Sequence, residues 1–333
     1  MKRVFRIIAG ILVVGSIIFT GVLWAEAPTE VYIKPRHTPT TITVGWVGDM
    51  VPSNDIDYNE NVFAEVTGEL LKPDLMIGNL EGTFAQADRS DKCMYLTSMC
   101  HAFRGDMSFA ASLRDAGFDF VSLVNNHSYD FGTEGLSDTE AILDEAGISY
   151  ISPNKQHTSI SIKGKKIGIL GLSSTEPTKT ITDYEFIVDE VSKLAEENDF
   201  VIVIFHGGAE GSAKTEVPGT IEYVGTENRG DVERVAYTAI DAGADLVLGA
   251  GPHVLRKIET YNGAPIAYSL GNFVGGKRLV MGGTLSLSGI FTATLERDAP
   301  TTYNFTSVVL SKDGMPFVDQ TDQGKQLLDS LSK

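Results

Sequence analysis

An α/β fold with mixed sheets, preceded by an N-terminal membrane-spanning helix, is what this 333-residue sequence predicts, and three observations predict it. The first is an uncharged run of 18 residues, "IIAGILVVGSIIFTGVLW", directly after the basic "MKRVFR". The second is the pattern from about Thr41 onward, where short continuous apolar runs alternate with amphipathic segments. Buried strands separated by helices read that way. The third is the C-terminal part, where "GIFTATLE" and "TTYNFTSVVL" follow each other with no helical pattern between them, so the sheets cannot be purely parallel.

The elements follow in chain order. Residues 1–24 form a single-pass anchor or a signal sequence, and the anchor is the reading kept. "AEA" (25–27) offers a small-residue cleavage site, but Pro28 would follow the cut and the apolar run is long for a signal peptide. Lys2, Arg3 and Arg6 then stay cytoplasmic and the bulk of the chain lies outside the membrane. Residues 25–40 hold three prolines and no apolar periodicity, and read as a stiff spacer. The domain proper covers 41–333. Its predicted strands are "TITVGWV", "DLMIGN", "FDFVSLV", "KIGILGL", "DFVIVIF", "ADLVLGA" and "PIAYSL". Helices are predicted around 60–71, 106–117, 136–146, 185–198 and 230–243, the third capped by Ser137 with Glu140. "SISIKGKKIGIL" reads as a hairpin turning at Gly164.

Charge and cysteine use narrow the function. With 27 Lys plus Arg against 44 Asp plus Glu, the net charge is −17, which argues against nucleic acid as a partner. Cys93 and Cys100 stand close together in "DKCMYLTSMC". Outside the cytoplasm they can form a disulfide, free thiols being the alternative, and in either state the pair is structural.

The residues that follow the predicted strands carry the chemistry. They are "GDM" (48–50), "GNLEG" (78–82), "NNHSYDFG" (125–132), "HGGAEG" (206–211), "GAGPH" (249–253) and "GNF" (271–273). Any one of these can be an ordinary polar turn. Six strand ends that each pair glycine with Asp, Glu, Asn or His point instead to one site, because ligands of open α/β sheets sit at carboxyl strand ends. Asp49, Glu81, Asn126, His206 and His253 form a metal-ligand set of carboxylate, amide and imidazole without thiolate, suited to one or two ions of Mn, Zn or Fe. His127 stands beside them as a proton donor oriented by Asp130. Asn79, Asn125, Glu210, Arg256, Asn272 and Lys277 are the expected substrate contacts, and Arg229 lies near the same rim.

These residues resemble the CapA family of bacterial capsule-synthesis (poly-γ-glutamate synthesis) proteins. The resemblance covers roughly Thr41 to Asp322, in "VGDM", "GNLEG", "AGFDFVSLVNNHSYDFGTEGL", "HGGAEG", "IDAGADLVLGAGPHVLRKIE" and "IAYSLGNFV". It implies an αββα sandwich like that of the calcineurin-like metallophosphoesterases, and a role in making, exporting or anchoring poly-γ-glutamate. By the same resemblance Asp49, Glu81, Asn126, His206 and His253 match metal ligands and His127 the catalytic histidine. Two ligands of the metallophosphoesterase pattern are missing: no histidine follows "GD", where Met50 and Val51 stand, and Ala250 falls at or near the other position. The expected partners are an anionic polymer or a phosphoester, the membrane, and other capsule-synthesis membrane subunits. A metal-dependent phosphoesterase acting on nucleotides and a non-catalytic polymer-binding scaffold are the alternative readings.

Overall fold

The computed structural model describes residues 41–332 apart from 58–60, 88, 91, 94–99, 179, 280–281 and 298. The expected anchor and spacer lie outside the described residues, among which no helix is long and apolar enough to cross a membrane.

The chain opens with β1 (Ile42–Met50), α1 (Thr67–Leu70), β2 (Leu75–Leu80), α2 (Ser108–Ala116), β3 (Phe120–Ser122), α3 (Gly132–Ala146) and β4 (Ser149–Ile151). Next come β5 (His157–Ile162), β6 (Lys165–Ser173), α4 (Tyr184–Glu197), β7 (Phe200–His206), β8 (Glu222–Val224), β9 (Glu227–Gly230), α5 (Val232–Asp241) and β10 (Leu246–Ala250). The rest is β11 (Ile258–Tyr261), β12 (Ala264–Ala267), β13 (Asn272–Val274), β14 (Leu287–Leu295), β15 (Thr302–Leu310), β16 (Pro316–Val318) and α6 (Gln323–Leu331).

Among the described residues these form two mixed sheets and a separate antiparallel pair, β8-β9. The first runs β16-β15-β14-β1-β2-β3-β4, with β13 also pairing β1, and the second runs β11-β12-β10-β7-β6-β5. In the first sheet β1, β2, β3 and β4 pair in parallel while β14, β15 and β16 are antiparallel. One apolar cluster, with Trp46, Ile77, Phe120, Ile169, Ile202 and Leu248, combines side chains of both sheets and fills the space between them. A second packs α2 and α3 onto the outer face of the first sheet through Phe109, Leu113, Leu136 and Leu143. A third packs α4 and α5 onto the second sheet through Val191, Leu194, Val235 and Ala239. The order of layers is therefore helix, sheet, sheet, helix, as the sequence suggested. Trp46 Nε1 donates across the interface to the carbonyl of Gly249, 3.4 Å away.

Local sequence explains most element ends. Asp183 and Asp231 accept from Phe186 N and Arg234 N at the starts of α4 and α5. The hairpin of β5 and β6 turns through Lys163 and Gly164, both at positive φ. Three expectations need correction. The helix predicted over 60–71 is reduced to the single turn α1, because the preceding residues pack Phe63 and Val66 inward through turns instead of a continuous helix. The Ser137–Glu140 cap is not a cap: α3 starts five residues earlier, at Gly132, directly after the "NNHSYDF" turn. Thr139 fixes that early start by donating to Gly135 O and accepting from Phe84 N. The strand expected through Leu270 stops at Ala267, and "GNF", expected only as a strand end, begins β13.

Candidate metal centre

The C-terminal ends of β1, β2, β7 and β10 meet where the two sheets face each other, so residues far apart in sequence converge there. Asp49 is placed by its strand: its Cα partners are Asn79 on β2 and Asn272 on β13, and its N–H donates to Gly271 O at 2.9 Å. A chain of amides then orients its carboxylate. Asn125 Nδ2 donates to Asn79 Oδ1 at 3.1 Å and to Leu80 O, and Asn79 Nδ2 donates to Asp49 Oδ1 at 2.8 Å. The other oxygen, Oδ2, faces His253 Nδ1 at 3.0 Å and accepts weakly from Gly251 N at 3.4 Å. His253 sits at φ 61, a left-handed conformation uncommon for a side-chain-bearing residue and concentrated at functional sites. Its Nδ1 also lies 3.0 Å from Asn272 Oδ1.

Glu81 is the centre of the cluster. It follows β2, is fully buried, and neither carboxylate oxygen has a hydrogen-bond partner. Three imidazoles surround it instead. His206 Nε2 lies 3.4 Å and His127 Nε2 3.9 Å from Oε1, and His253 Nδ1 lies 3.9 Å from Oε2. Both ring nitrogens of His206 and the Oδ1 of Asn126 are likewise buried without a hydrogen bond. A dry carboxylate without donors is costly, and buried polar atoms left open together call for a shared partner. A divalent cation fits this donor set, and the ligand atoms of Asp49, Glu81 and His253 all lie within 4.8 Å of one another.

Electrostatics agree. Burial alone would push the Glu81 carboxyl up, yet the charge of His253 foremost, with the imidazoles of His206 and His127, holds it far below the usual carboxylate range. Burial would likewise push His253 down, but the Glu81 carboxylate, then Asp49 and Glu210, raise it to about 10. Both shifts have one cause, the pull of the Glu81 and Asp49 carboxylates for positive charge at this point.

His127 and Asp130 are brought together as the sequence suggested. His127 Nδ1 lies 2.7 Å from Asp130 Oδ2, which also accepts from Phe103 N at 2.6 Å. That bond leaves Nε2 turned toward Glu81. The Phe103 ring stacks on the imidazole at a centroid distance of 4.2 Å. Lys92, which sequence reasoning passed over, pairs with Asp130 Oδ1 and donates to Asn126 O at 3.1 Å. Its only signal in the sequence is its place beside Cys93, and that cysteine is joined to Cys100 by a disulfide.

An open cleft of about 280 Å³ lies over the cluster, lined among others by Asn126, His127, His253, Glu210, Glu227 and Arg229. Of the expected substrate contacts, Glu210 lines it, ion-paired with Arg229 at 3.1 Å. The others are placed differently. Asn79 and Asn125 are buried in the amide chain behind Asp49, and Asn272 is buried against His253, so these three hold ligands and do not face the cleft. Arg256 is fully buried: Glu222 takes it bidentately at 2.8 and 2.7 Å, and the carbonyls of Lys214 and Ala209 take further N–H groups. A guanidinium so occupied has a structural role. Lys277 is exposed on a 3-10 turn, where its backbone N–H donates to Asp55, and it is outside the cleft lining. Met50 and Ala250 are buried in the core and offer no ligand.

Comparison with known proteins agrees with the motifs. The chain is 25% identical over 305 residues to the capsule biosynthesis protein CapA of Bacillus anthracis, spanning 82% of this chain and 69% of that protein. It is 27% identical over 279 residues to the PGA biosynthesis protein CapA of Bacillus subtilis (strain 168), spanning 76% and 68%. In fold it is similar to a hypothetical protein from Thermus thermophilus, with a TM-score of 0.51 at 16% identity over 80% of this chain and 98% of that one. Residues 11–277 match the family described as bacterial capsule synthesis protein PGA_cap, and that match, running through every strand end that supplies the cluster, makes this chain a member of the PGA_cap family.

Proposed function

We propose that this chain acts in the making, export or anchoring of an anionic surface polymer of the poly-γ-glutamate kind, and that its cluster holds a divalent metal for a hydrolytic step. The observation that carries the metal reading is Glu81, a buried carboxylate with neither oxygen hydrogen-bonded and three imidazoles about it. Asp49, Glu81 and His253 hold one ion of Mn, Zn or Fe, with His206 and Asn126 completing the donor set. Because Glu81 turns Oε1 to His206 and Oε2 to His253, it can also serve a second ion. When bound, the ion supplies Lewis acidity at the cleft floor. The chain's own residues do the rest. Asp130 fixes His127 through Nδ1, so Nε2 is the atom that gives a proton to the departing group, and Glu210 with Arg229 adds an ion pair to the cleft lining. The helix-sheet-sheet-helix layering supports a relation to the calcineurin-like metallophosphoesterases. The uncharged run after "MKRVFR" supports a single-pass anchor with the domain outside the membrane.

A second reading has its own support. Met50 and Ala250 stand where the metallophosphoesterase pattern has ligands, which favours a site that holds polymer without turning it over. Elemental analysis of the purified full chain beside Glu81→Gln and His206→Ala separates the readings, together with assays of a nitrophenyl phosphodiester and of poly-γ-glutamate cleavage. Metal in the wild type, lost in both variants along with turnover, is the expected result. Metal and polymer binding without turnover selects the scaffold, and a wild type free of metal after incubation with each of the three ions overturns the metal reading.

A further inference from the structure

Lys92 and Phe103 both hold the His127–Asp130 pair. The Lys92 ammonium pairs with Asp130 Oδ1, donates to Asn126 O at 3.1 Å and lies 3.4 Å from His127 Nδ1. Phe103 N donates to Asp130 Oδ2 at 2.6 Å while its ring stacks on His127. Asp130 is buried, so the Lys92 ammonium is the counter-charge of a carboxylate that water does not reach. Phe103 is held to the body by a bridge of Thr83 with Arg104, whereas Lys92 belongs to no helix or strand. On one side of Lys92, Ser90 Oγ donates to Asp130 O, and on the other the hold is covalent. The neighbouring Cys93 is bonded to Cys100, closing a loop of sequence separation 7, and Cys100 Sγ lies 3.7 Å from Lys92 O. Such a cross-link lowers the conformational freedom that the lysine must lose to reach Asp130.

We infer that Lys92 is a positioning residue for the His127–Asp130 pair, and that the Cys93–Cys100 disulfide is what holds it in position. The inference rests on the hydrolytic reading of the site, since positioning matters only where His127 moves a proton. Lys92 lies in the cleft lining but turns its ammonium to Asp130 and Asn126 O, so its effect passes through His127.

The test uses the full chain loaded with the metal it retains, a nitrophenyl phosphodiester as substrate, and three variants: Lys92→Met, Lys92→Arg and the double variant Cys93→Ser/Cys100→Ser. Outer-shell partners of this kind typically matter by about 10- to 100-fold. The expected result is a loss of that size in kcat for Lys92→Met with KM within about twofold, metal content retained, and most of the rate restored in Lys92→Arg. The double cysteine variant shows the same split, and adding Lys92→Met to it costs little more, because both changes remove one interaction. Wild-type kcat in Lys92→Met overturns the inference. An impaired Lys92→Met beside an unimpaired double cysteine variant overturns the role assigned to the disulfide. Should the wild type turn over no ester, the hydrolytic reading itself fails, and the ring NMR signals of His127 decide the geometry. A common displacement in Lys92→Met and the double cysteine variant supports the clamp, and unmoved signals overturn it.

Discussion

His253 concentrates the chemistry of the cluster in one imidazole. Against the effect of burial, the Glu81 and Asp49 carboxylates beside it raise it from 6.5 to about 10, so the ring holds a proton at neutral pH. A metal ion needs the ring unprotonated, so binding must expel that proton. Affinity should rise about tenfold per pH unit below pH 10, and calorimetry in two buffers of different ionisation heat should count about one proton released per ion. Uptake without proton release would contradict the assignment. The sign for stability is the opposite one. A raised imidazole stabilises the metal-free fold fully below about 6.5, and that contribution is lost as pH rises through about 10.

At the scale of elements, the site depends on how closely strands approach. β1 is flanked by β2 and β13, and the carbonyl of Gly271 reaches the Asp49 N–H only because residue 48 is glycine. A Cβ at Gly48 would lie 1.9 Å from Gly271 O, a backbone atom that cannot step aside. Gly48→Ala should cost at least about 1–3 kcal/mol in denaturant unfolding and weaken metal retention by displacing Asp49. A variant with wild-type stability and metal content would refute this account of the glycine. α6 shows a different dependence. Asp319, three residues before its N-cap, accepts from Thr321 N, Thr321 Oγ1, Gln323 N and Ser307 Oγ. Burial pushes this carboxyl up, but the Thr321 hydroxyl and the other donors bring it down from 3.8 to about 2. Its contribution is present above pH 3.8 and is lost as pH falls through about 2. Asp319→Ala should cost about 1–2 kcal/mol near neutral pH and flatten that acid limb of the stability profile.

Across the whole molecule, the cluster is a seam between the two sheets. Asp49 lies in β1 and Glu81 follows β2 in the first sheet, while His206 ends β7 and His253 follows β10 in the second. An ion held by these residues would tie the two layers together. Metal at one hundred times its dissociation constant should stabilise the fold by about 2.7 kcal/mol, seen as a raised melting temperature that Glu81→Gln no longer shows. Equal stabilisation of that variant would place the ion elsewhere.

The sequence alone determined the alternation of strands and helices, the helix-sheet-sheet-helix layering through its family resemblance, and the residue types of the site. Those features are written in local periodicity and in short motifs at strand ends, such as "GNLEG" and "GPH". It missed β4, β8, β9, β11, β13 and β16, which are three or four residues long and too short for any period to show, and α6, where only Gly324 and Leu328 are buried. Tertiary structure decided which polar residues face the cleft. Arg256 and Lys277 look alike in sequence as basic groups after a glycine-rich turn, yet one is enclosed by Glu222 and the other is exposed. Asn79 and Asn125 support Asp49 because the register of β1 against β2 sets Asn79 beside it. Lys92 and Phe103 meet Asp130 from 38 and 27 residues away in the chain. Register and enclosure are properties of pairs distant in the chain, and only the packed sheets bring those pairs together.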